Sequence, residues 1–375
     1  MIAVIGAGPA GCHYASLLDE DVTLVEEHSQ VGKPVSCTGI LTSAVTPLLP
    51  IPKELIVTTI RTQRIIAPDS TSLDIDLRHP DIVIDRAAFD CHLAQKAVDN
   101  GAELLTGHRF LGYRKKIDAR KGETYTIKIT KGTLAASMLV GADGPRSAVA
   151  QEAGIYGRRT FLTGLQARVR YHGEPGVSEV RLGAGEFSWI VPEDEHIARV
   201  GIIGTGTQGN TATCSGTNLY AQYKKLIGSA KILEHQSGIV PLYNPHQKLQ
   251  QGNVFLIGDA ATQVKATTYG GIIYGLQAAQ LLAKSPHTYP TAFARSCGRD
   301  LWLSLEIRKA LNAMNTNQCN ELISIFSSNS TKKIIEEHDR DYPSRFTMQL
   351  LAQEPRFWKL GLDVLSRRIS SLFSH

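Results

Sequence analysis

The sequence lacks long apolar runs and the spacings that mark metal or nucleophilic sites. No stretch of its 375 residues approaches the roughly 20 apolar residues that span a bilayer. The first apolar segment, Ile2–Ile5, is shorter than the apolar region of a secretory signal. The six cysteines form no CxxC pair, and no metal-ligand or Ser-His-Asp spacing stands out, so we expect mostly free thiols, with pairing of Cys297 and Cys319 left open, and no bound metal. These absences predict a cytosolic protein.

Charge of either sign is also sparse. The net charge is +5 and charged residues make up 20% of the chain, which is too weak a bias to indicate a nucleic-acid partner. The excess of positive charge suits an anionic small molecule or an anionic membrane surface equally well. The length is enough for two or three domains.

Three glycines near the start of the chain, by contrast, have the spacing of a phosphate-binding turn. Gly6, Gly8 and Gly11 follow a short apolar strand, and a second apolar strand over residues 21–25 ends at Glu26. The three glycines permit a tight turn, a close approach to a pyrophosphate and close packing of the next helix, while the acid can accept hydrogen bonds from ribose hydroxyls. This order of elements predicts a Rossmann-type dinucleotide-binding fold in which Ala10 belongs to the turn. The alternative is a chance glycine turn.

A second glycine–acid pair, Gly258-Asp259, follows the apolar residues 254–257 and begins a predicted helix over residues 260–283. Asp259 can bind a ribityl hydroxyl, which FAD has and NAD lacks, or it can cap the helix. Gly271 and Ile272 lie further along the same segment, where backbone can approach an isoalloxazine ring. Taken together with the first turn, the pair favours FAD.

Several stretches carry a resemblance to a known family. They are the turn over residues 6–11 with Glu26, "PVSCTGI", "DRAAFD", "GADGPRS", "FSWIVP" and "GDAATQVKATTYGGI", which together run from residue 1 to about residue 275. The sequence resembles flavoproteins of the para-hydroxybenzoate hydroxylase fold. Within them it is similar to the geranylgeranyl reductases, particularly the archaeal digeranylgeranylglycerophospholipid reductases. "FSWIVP" together with "VKATTYGGI" makes the resemblance specific.

The resemblance implies an α/β fold, in which a Rossmann-type FAD-binding domain carries an inserted β-rich substrate domain and a helical C-terminal region. We expect the FAD-binding domain at residues 1–155 and 250–295, with an excursion at 45–80. The substrate domain is expected at 156–249 and the helical region at 296–375.

The resemblance also implies roles for single residues. Arg86 is expected to bind FAD, as are Cys37, Thr38 and Gly39, which match the family's loop beside the isoalloxazine ring. Cys37 is a candidate proton donor or redox switch, the alternative being a small packing residue. Phe110 is placed near the adenine by its strand position, although core packing explains it equally well.

The prenyl pocket is expected to be lined by Trp189, Pro192 and Tyr269. For Trp189 the alternative is an aromatic residue of the sheet core. Tyr269 stands where the family usually has a glycine.

The activity implied is that of an FAD-dependent reductase that saturates C=C bonds of geranylgeranyl chains, in archaeal-type ether phospholipids or in their isoprenoid precursors. The expected partners are a prenyl lipid and an electron donor, which is ferredoxin, a reduced deazaflavin or NAD(P)H. A monooxygenase or halogenase of the same fold is the first alternative, although the halogenase signature Trp-x-Trp-x-x-Ile is absent. A non-catalytic lipid-binding flavoprotein is the second.

Near the end of the chain, apolar residues recur at spacings of three to five among basic ones. The apolar residues are Phe357, Leu360, Val364, Ile369 and Phe373, and the basic ones are Arg356, Lys359, Arg367 and Arg368. This pattern predicts an amphipathic helix. It either makes a peripheral contact with the inner face of the cell membrane or packs its apolar face on the protein body.

Overall fold

The computed structural model of the protein describes residues 1–118, 122–183, 186–205 and 219–372. The strands are β1 (Ile2–Ile5), β2 (Val22–Val25), β3 (Ile40–Leu41), β4 (Ile56–Ile66), β5 (Ser72–Ile84), β6 (Glu103–Leu105), β7 (Phe110–Asp118), β8 (Gly122–Ile129), β9 (Gly132–Ala136), β10 (Met138–Gly141), β11 (Phe161–Arg170), β12 (Val177–Arg181), β13 (Phe187–Pro192), β14 (Ile197–Gly204), β15 (Ile232–Pro241), β16 (Gln250–Gln251) and β17 (Val254–Leu256).

The helices are α1 (Pro9–Ala15), α2 (Arg86–Asp99), α3 (Ala148–Glu152), α4 (Leu219–Ile227), α5 (Ile272–Lys284), α6 (Tyr289–Phe293), α7 (Arg299–Ala313), α8 (Thr316–Phe326), α9 (Asn329–Glu337), α10 (Thr347–Gln353) and α11 (Arg356–Leu372). A π-helical turn, Ala294–Gly298, joins α6 to α7. These elements form two compact units.

The first unit comprises residues 1–35, 85–161 and 240–302. Its sheet has the strand order β16-β17-β10-β1-β2-β6, in which only the edge strand β16 runs antiparallel. The inner strands β1, β2 and β17 are fully buried, as expected of continuous apolar runs in a parallel sheet covered on both faces. Helix α1 packs against α2 and α5, and a separate antiparallel sheet, β7-β8-β9, adds Tyr125 and Ile127 to the core.

The predicted helix over residues 260–283 is wrong at its start, because α5 begins only at Ile272. A single 3-10 turn, Gly258–Ala261, ends at Thr262, whose φ of +56° is left-handed and stops a helix. Tyr269 has the same φ, and the amide of Lys265 donates to the carbonyl of Gly270 at 3.0 Å, which closes the intervening loop. The two glycines of "YGGI" therefore stand at the start of α5.

The second unit comprises residues 36–84, 162–239 and 303–375. Its sheet has eight strands in the order β15-β11-β14-β13-β12-β4-β5-β3, and β12 runs parallel to β4. Helix α4 covers one face of β14, where Tyr223 packs on Val200 and Ile202.

The predicted domain bounds differ from this division most at two places, and the other boundaries are shifted by ten residues or fewer. Residues 36–84 belong with the β-rich segment, because β4 pairs with β12 and thereby enters its sheet. Residues 303–375 also belong with that segment, because Ile323 of α8 packs on Leu73 and Ile75 of β5. The predicted excursion at 45–80 lies within the first of these segments.

The predicted C-terminal helix is present as α11, and its apolar face is covered. Leu360 and Val364 are buried against Leu322 and Ile325 of α8, and the ring of Phe357 lies 5.2 Å from that of Phe326. The apolar face of α11 that the residue spacing predicted therefore packs against the rest of the second unit. The side chain of Ile369 and all of Phe373 lie outside the described residues.

Among the described residues, no helix has the length and apolarity needed to cross a membrane. The five cysteines within these ranges, Cys12, Cys37, Cys91, Cys297 and Cys319, are free, as expected.

Candidate active site

The glycine turn after β1 has the geometry that close approach of a dinucleotide requires. Gly6 has a φ of +101°, and a Cβ built on it would lie 2.3 Å from the carbonyl oxygen of Ala142. A Cβ on Gly11 would lie 2.2 Å from the carbonyl oxygen of Gly6. A Cβ on Gly8 would meet no described atom within 4 Å, so the space beside this backbone is open to a ligand. This cradle fits the pyrophosphate of FAD.

Ala10 joins the turn to the second glycine–acid pair. A Cβ built on Gly258 would lie 3.1 Å from the Cβ of Ala10, and one built on Gly275 would lie 3.2 Å from it. These glycines belong to the turn after β17 and to α5, so α1 approaches both elements closely at Ala10. The two glycine motifs, almost 250 residues apart in sequence, are thus neighbours in the first unit.

Glu26 is held at the end of β2 by three hydrogen bonds. The amide of Ala7 donates to Oε2 at 3.0 Å, and the amide and Nδ1 of His28 approach Oε1 at 3.0 and 2.7 Å. A carboxylate offers about four lone-pair positions, so capacity for a further donor remains. Glu26 is therefore fixed relative to the glycine turn, as a ribose-binding acid must be.

Asp259 lies in the 3-10 turn after β17, and no side-chain hydrogen bond caps that turn. Burial raises the pKa of its carboxyl to about 6, while the nearby cations Arg86 and Arg159 oppose the rise. A Cβ built on Gly271 would lie 2.7 Å from Oδ1 of Asp259, so the start of α5 needs glycine here. A partly buried acid beside a close backbone approach fits the ribityl chain of FAD, whose hydroxyls are hydrogen-bond donors.

The two cations near Asp259 are themselves anchored. Arg86, the first residue of α2, donates from Nε and Nη2 to the carboxylate of Asp90 at 3.2 and 3.0 Å. Arg159 donates to the carbonyl oxygens of Pro145 and Ala260 at 2.7 and 2.6 Å. Arg86 was expected from the sequence, whereas Arg159 was not. No motif points to Arg159.

The remaining candidates of the first unit lie in three different settings. Phe110 is buried in the core with Tyr125 and Ile127. Ile272 is the first residue of α5, directly after Gly271, and is partly exposed. Tyr269 is partly exposed in the loop before α5.

The second unit brings Thr38 and Trp189 together through a residue that the motifs did not name. The hydroxyl of Thr38 donates to Oε1 of Gln166 at 2.6 Å, and Nε1 of Trp189 donates to the same oxygen at 2.9 Å. The indole lies on the backbone of Gly201, where a built Cβ would fall 2.3 Å from Cζ2. Thr38 and Trp189 are thus fixed by one carboxamide.

The loop over residues 37–39 is also held by a buried cation. Arg199 donates from Nη1 to the carbonyl oxygens of Thr38 and, at 3.1 Å, of Ile84, and from Nε to Glu193 at 2.7 Å. Burial alone raises the pKa of Glu193, but hydrogen bonds and charge from Arg168 and Arg199 outweigh it and leave the pKa below its usual value. Glu193 is therefore an anion that fixes Arg199.

Cys37 and Gly39 are the other members of this loop. The amide of Gly39 donates to Sγ of Cys37 at 3.3 Å, and Gly39 has a φ of +78°. The carbonyl of Gly39 accepts from the amide of Ile84 at 2.9 Å, which ties the loop to β5. The Cys37 thiol is consequently held in one place relative to Thr38.

Pro192 does not lie beside Trp189. The two residues are three apart in β13 and point to opposite faces of the sheet, since neighbouring side chains alternate. Pro192 is buried next to Gly173, on which a built Cβ would lie 3.1 Å from Cγ of the proline. Trp189 packs on the other face with Ile60 and Val83.

Sequence reasoning missed Gln166, Arg199 and Glu193, although a signal was present. Gln166 interrupts the apolar strand "FLTGLQARVR", and Arg199 interrupts "IARVGIIG". A polar residue inside an otherwise apolar strand must find a partner when it is buried, so it indicates an internal contact. Within the described residues, no group of three or more His, Cys, Asp or Glu side chains is arranged to hold a metal ion.

A Rossmann-type parallel sheet with a glycine turn after its first strand and an acid at the end of its second is the arrangement of a dinucleotide-binding domain. The family of the FAD binding domain matches residues 60–285, and the chain belongs to this family. The predicted cofactor, FAD, is confirmed.

Curated relatives match most of the chain. A digeranylgeranylglycerophospholipid reductase of Methanosarcina acetivorans is 28% identical over 343 residues, which cover 82% of this chain and 83% of the relative. Another, from Methanothrix thermoacetophila, is 26% identical over 374 residues and covers 89% and 93% of the two chains. The resemblance predicted from the motifs is confirmed by these relatives.

Solved structures share the fold. A geranylgeranyl bacteriochlorophyll reductase-like protein from Thermoplasma acidophilum has a TM-score of 0.77 at 20% identity, covering 93% of this chain and 98% of its own. The flavin-dependent halogenase CmlS has a TM-score of 0.62 at 15% identity and covers 95% and 70%. The predicted fold class is confirmed, and the halogenase is a relative in fold.

Proposed function

We propose that the protein is an FAD-dependent reductase that saturates C=C bonds of geranylgeranyl chains, in archaeal-type ether phospholipids or their isoprenoid precursors. The observation that carries the proposal is the match, over more than four-fifths of both chains, to a relative named for this activity. The site supports it, because the glycine cradle, Glu26 and Asp259 suit the pyrophosphate, ribose and ribityl parts of FAD.

The reaction adds a hydride to one alkene carbon and a proton to the other, so each reduced bond gains two hydrogens. FAD, once reduced and bound, supplies the hydride. An isolated alkene is a poor hydride acceptor, so the protein must align the bond and exclude water. We assign these tasks to Trp189, whose indole is fixed on Gly201, and to Tyr269.

We assign the proton to Cys37, on the resemblance of "SCTGI" to the family's flavin loop. Its thiol is fixed by the amide of Gly39 and is partly exposed, so it can meet a ligand. Thr38, Gly39 and Arg86 are proposed to bind the flavin. Phe110 and Pro192 are buried in cores of their units, which supports a packing role for both.

The decisive experiment is a single-turnover reaction without oxygen. Protein reduced with dithionite is mixed with a geranylgeranyl ether phospholipid, and the molecular mass of the product is measured by mass spectrometry. A reductase reoxidises its flavin and adds two hydrogens per reduced bond. Flavin that stays reduced until O₂ is admitted, followed by incorporation of labelled oxygen or of halide, would establish the monooxygenase or halogenase instead. Flavin that no alkene reoxidises would establish a lipid-binding flavoprotein.

The electron donor is sought among three candidates: ferredoxin, a reduced deazaflavin and NAD(P)H. Each is offered anaerobically to the oxidised protein, and flavin bleaching is followed. The true donor reduces FAD at a rate that supports turnover, and the others do not.

We also propose that the protein works at the inner face of the cell membrane, through an exposed face of α11. The predicted apolar stripe is buried, but Trp358 and Leu362, four residues apart, are 56% and 64% exposed. Nε1 of Trp358 donates to the carbonyl of Leu351 at 3.0 Å, which fixes the indole at the surface, and Lys359 adds a cation. An exposed tryptophan beside basic residues suits an anionic interface.

Co-sedimentation with vesicles of phosphatidylglycerol and phosphatidylcholine tests this surface. Leu362→Asp places a carboxylate at an exposed position, so it should leave the fold intact and reduce pelleting. Leu17→Asp, at another exposed leucine just after α1, is the matched control. If both variants pellet as the unchanged protein does at low salt, this face does not bind membranes.

A further inference from the structure

We propose that Gln166 is a positioning residue that fixes Thr38 and Trp189 relative to each other. The inference rests on the proposed function, in which Thr38 belongs to the flavin loop and Trp189 to the prenyl pocket. The carboxamide of Gln166 thereby links Trp189, which is proposed to contact the lipid chain, to the loop that carries Cys37.

The orientation of the carboxamide follows from its partners. An indole N–H is only a donor, so the Gln166 atom 2.9 Å from Trp189 must be oxygen. The hydroxyl of Thr38 donates to the same oxygen at 2.6 Å, which uses its second lone pair. Nε2 of Gln166 donates to Oε1 of Gln236 at 2.5 Å, which fixes the other end. Gln166 is 5% exposed, so water does not compete for these bonds.

Strand register explains why the indole reaches Gln166. Gly201 of β14 stands opposite Gln166 of β11 on one side and opposite Trp189 of β13 on the other. The three residues therefore form one row across three adjacent strands. Since the middle member has no side chain, the indole lies across it, and any larger residue at Gly201 would clash with the ring.

The same face of the sheet holds the main chain of Thr38. Arg199 is two residues before Gly201 in β14, so it points to the same face. It donates to the carbonyl of Thr38, whereas Gln166 accepts from the hydroxyl. Arg199 thus fixes the backbone of the loop, and Gln166 links its side chain to the indole. A displacement of Trp189 by a bound lipid chain is then transmitted to Thr38 through Gln166.

The test uses variants of the FAD-loaded protein. Gln166→Met keeps the approximate volume and removes all three hydrogen bonds of the carboxamide. We expect kcat to fall about tenfold, which corresponds to the net contribution of about one hydrogen bond, with a smaller change in KM. Gln166→Glu keeps an acceptor for Thr38 and Trp189 but loses the donor to Gln236, whose carboxamide must turn so that its NH₂ donates to the second carboxylate oxygen. With that rotation the variant should retain most of the rate. Gln95→Met, which removes an exposed amide on α2, is the matched control and should behave as the unchanged protein.

A spectroscopic readout separates positioning from general damage. The chain has three tryptophans, and Trp302 and Trp358 are about half exposed. The emission of Trp189, obtained by difference against Trp189→Phe, should shift in Gln166→Met and not in Gln166→Glu. Unchanged kcat, KM and Trp189 emission in Gln166→Met overturn the proposal, as does equal impairment of the Met and Glu variants.

If Gln166→Met does not fold, a double-mutant cycle of Thr38→Val and Trp189→Phe decides. Each change removes one donor and keeps the approximate shape. Because the two donors share one oxygen, their effects on thermal stability should be non-additive, and additive effects contradict the inference. The emission and stability arms need no substrate. A protein that reduces no prenyl lipid therefore refutes the proposed function while these arms still decide the role of Gln166.

Discussion

Replacing Asp259 with asparagine should stabilise the protein without FAD and weaken its hold on FAD. The carboxyl has a pKa raised by burial from 3.8 to about 6. A raised folded-state pKa means that the folded protein binds this proton more tightly than the unfolded chain does. The stability of the apoprotein should therefore fall as pH rises from about 4 to about 6, and stay flat above that.

The size of the effect follows from the shift. A difference of about 2 pKa units corresponds to about 3 kcal/mol, and partial exposure of the side chain reduces this to about 1–3 kcal/mol. The amide that replaces the carboxyl carries no charge, so at pH 7 the free energy of unfolding of Asp259→Asn apoprotein should rise by that amount. The slope between pH 4 and 6 should flatten.

Binding of FAD should move in the opposite direction. A hydrogen bond to a carboxylate stabilises by about 1.5–3 kcal/mol, so its replacement by a neutral amide should raise the Kd of FAD about tenfold or more. In the unchanged protein, FAD affinity should drop as pH falls through about 6, because a proton then competes with the ribityl hydroxyl for the carboxylate.

Two measurements check these signs. Urea unfolding of apoprotein between pH 4.5 and 7.5 gives the stability, and quenching of flavin fluorescence gives the affinity. Asp19→Asn, at an exposed position, is the control. An Asp259→Asn apoprotein that is less stable at pH 7, or that binds FAD as tightly as the unchanged protein, would refute the reasoning. Either result would mean that Asp259 serves the fold and not the cofactor.

Three further outcomes are expected. Gly8→Val should yield a folded but colourless protein, since a side chain there meets no described atom within 4 Å and would fill the space that we assign to the pyrophosphate, and flavin absorbance after purification measures this. Cys37→Ser should lower the turnover rate more than the FAD content. An unchanged turnover rate would show that Cys37 is a packing residue. Arg199→Met should cost about 3–5 kcal/mol on thermal unfolding, because it leaves the buried Glu193 with one cation fewer; a loss under about 1 kcal/mol would contradict the ion-pair argument.

The cofactor half of the site could be predicted because its signals are local. Gly6, Gly8 and Gly11 follow one buried strand within a few residues, and Glu26 ends the next strand. Gly6 is required by its left-handed φ, and Gly11 by the clash that a Cβ would make with the carbonyl of Gly6. A motif of this kind lies within one contiguous stretch of sequence, so it can be recognised without the rest of the fold.

The division into units and the helix start could not be predicted in this way. Residues 36–84 join the second unit through pairing of β4 with β12, and the partner strand lies more than 100 residues away in sequence. Thr262 and Tyr269 adopt left-handed backbone although neither is glycine. The residue types therefore did not indicate that the 3-10 turn ends at Thr262. Tertiary contacts outweigh local preference at both places.

Polar residues inside apolar strands are a sequence signal for such long-range contacts. A buried carboxamide without partners costs about 1–3 kcal/mol, and an unpaired buried arginine costs more, so a stable chain that keeps Gln166 and Arg199 must supply partners. It supplies both from the loop at Thr38, which is 128 residues from Gln166 and 161 from Arg199. The bonds that satisfy the sheet therefore also fix the loop. The position of Thr38 is therefore a consequence of folding the second unit.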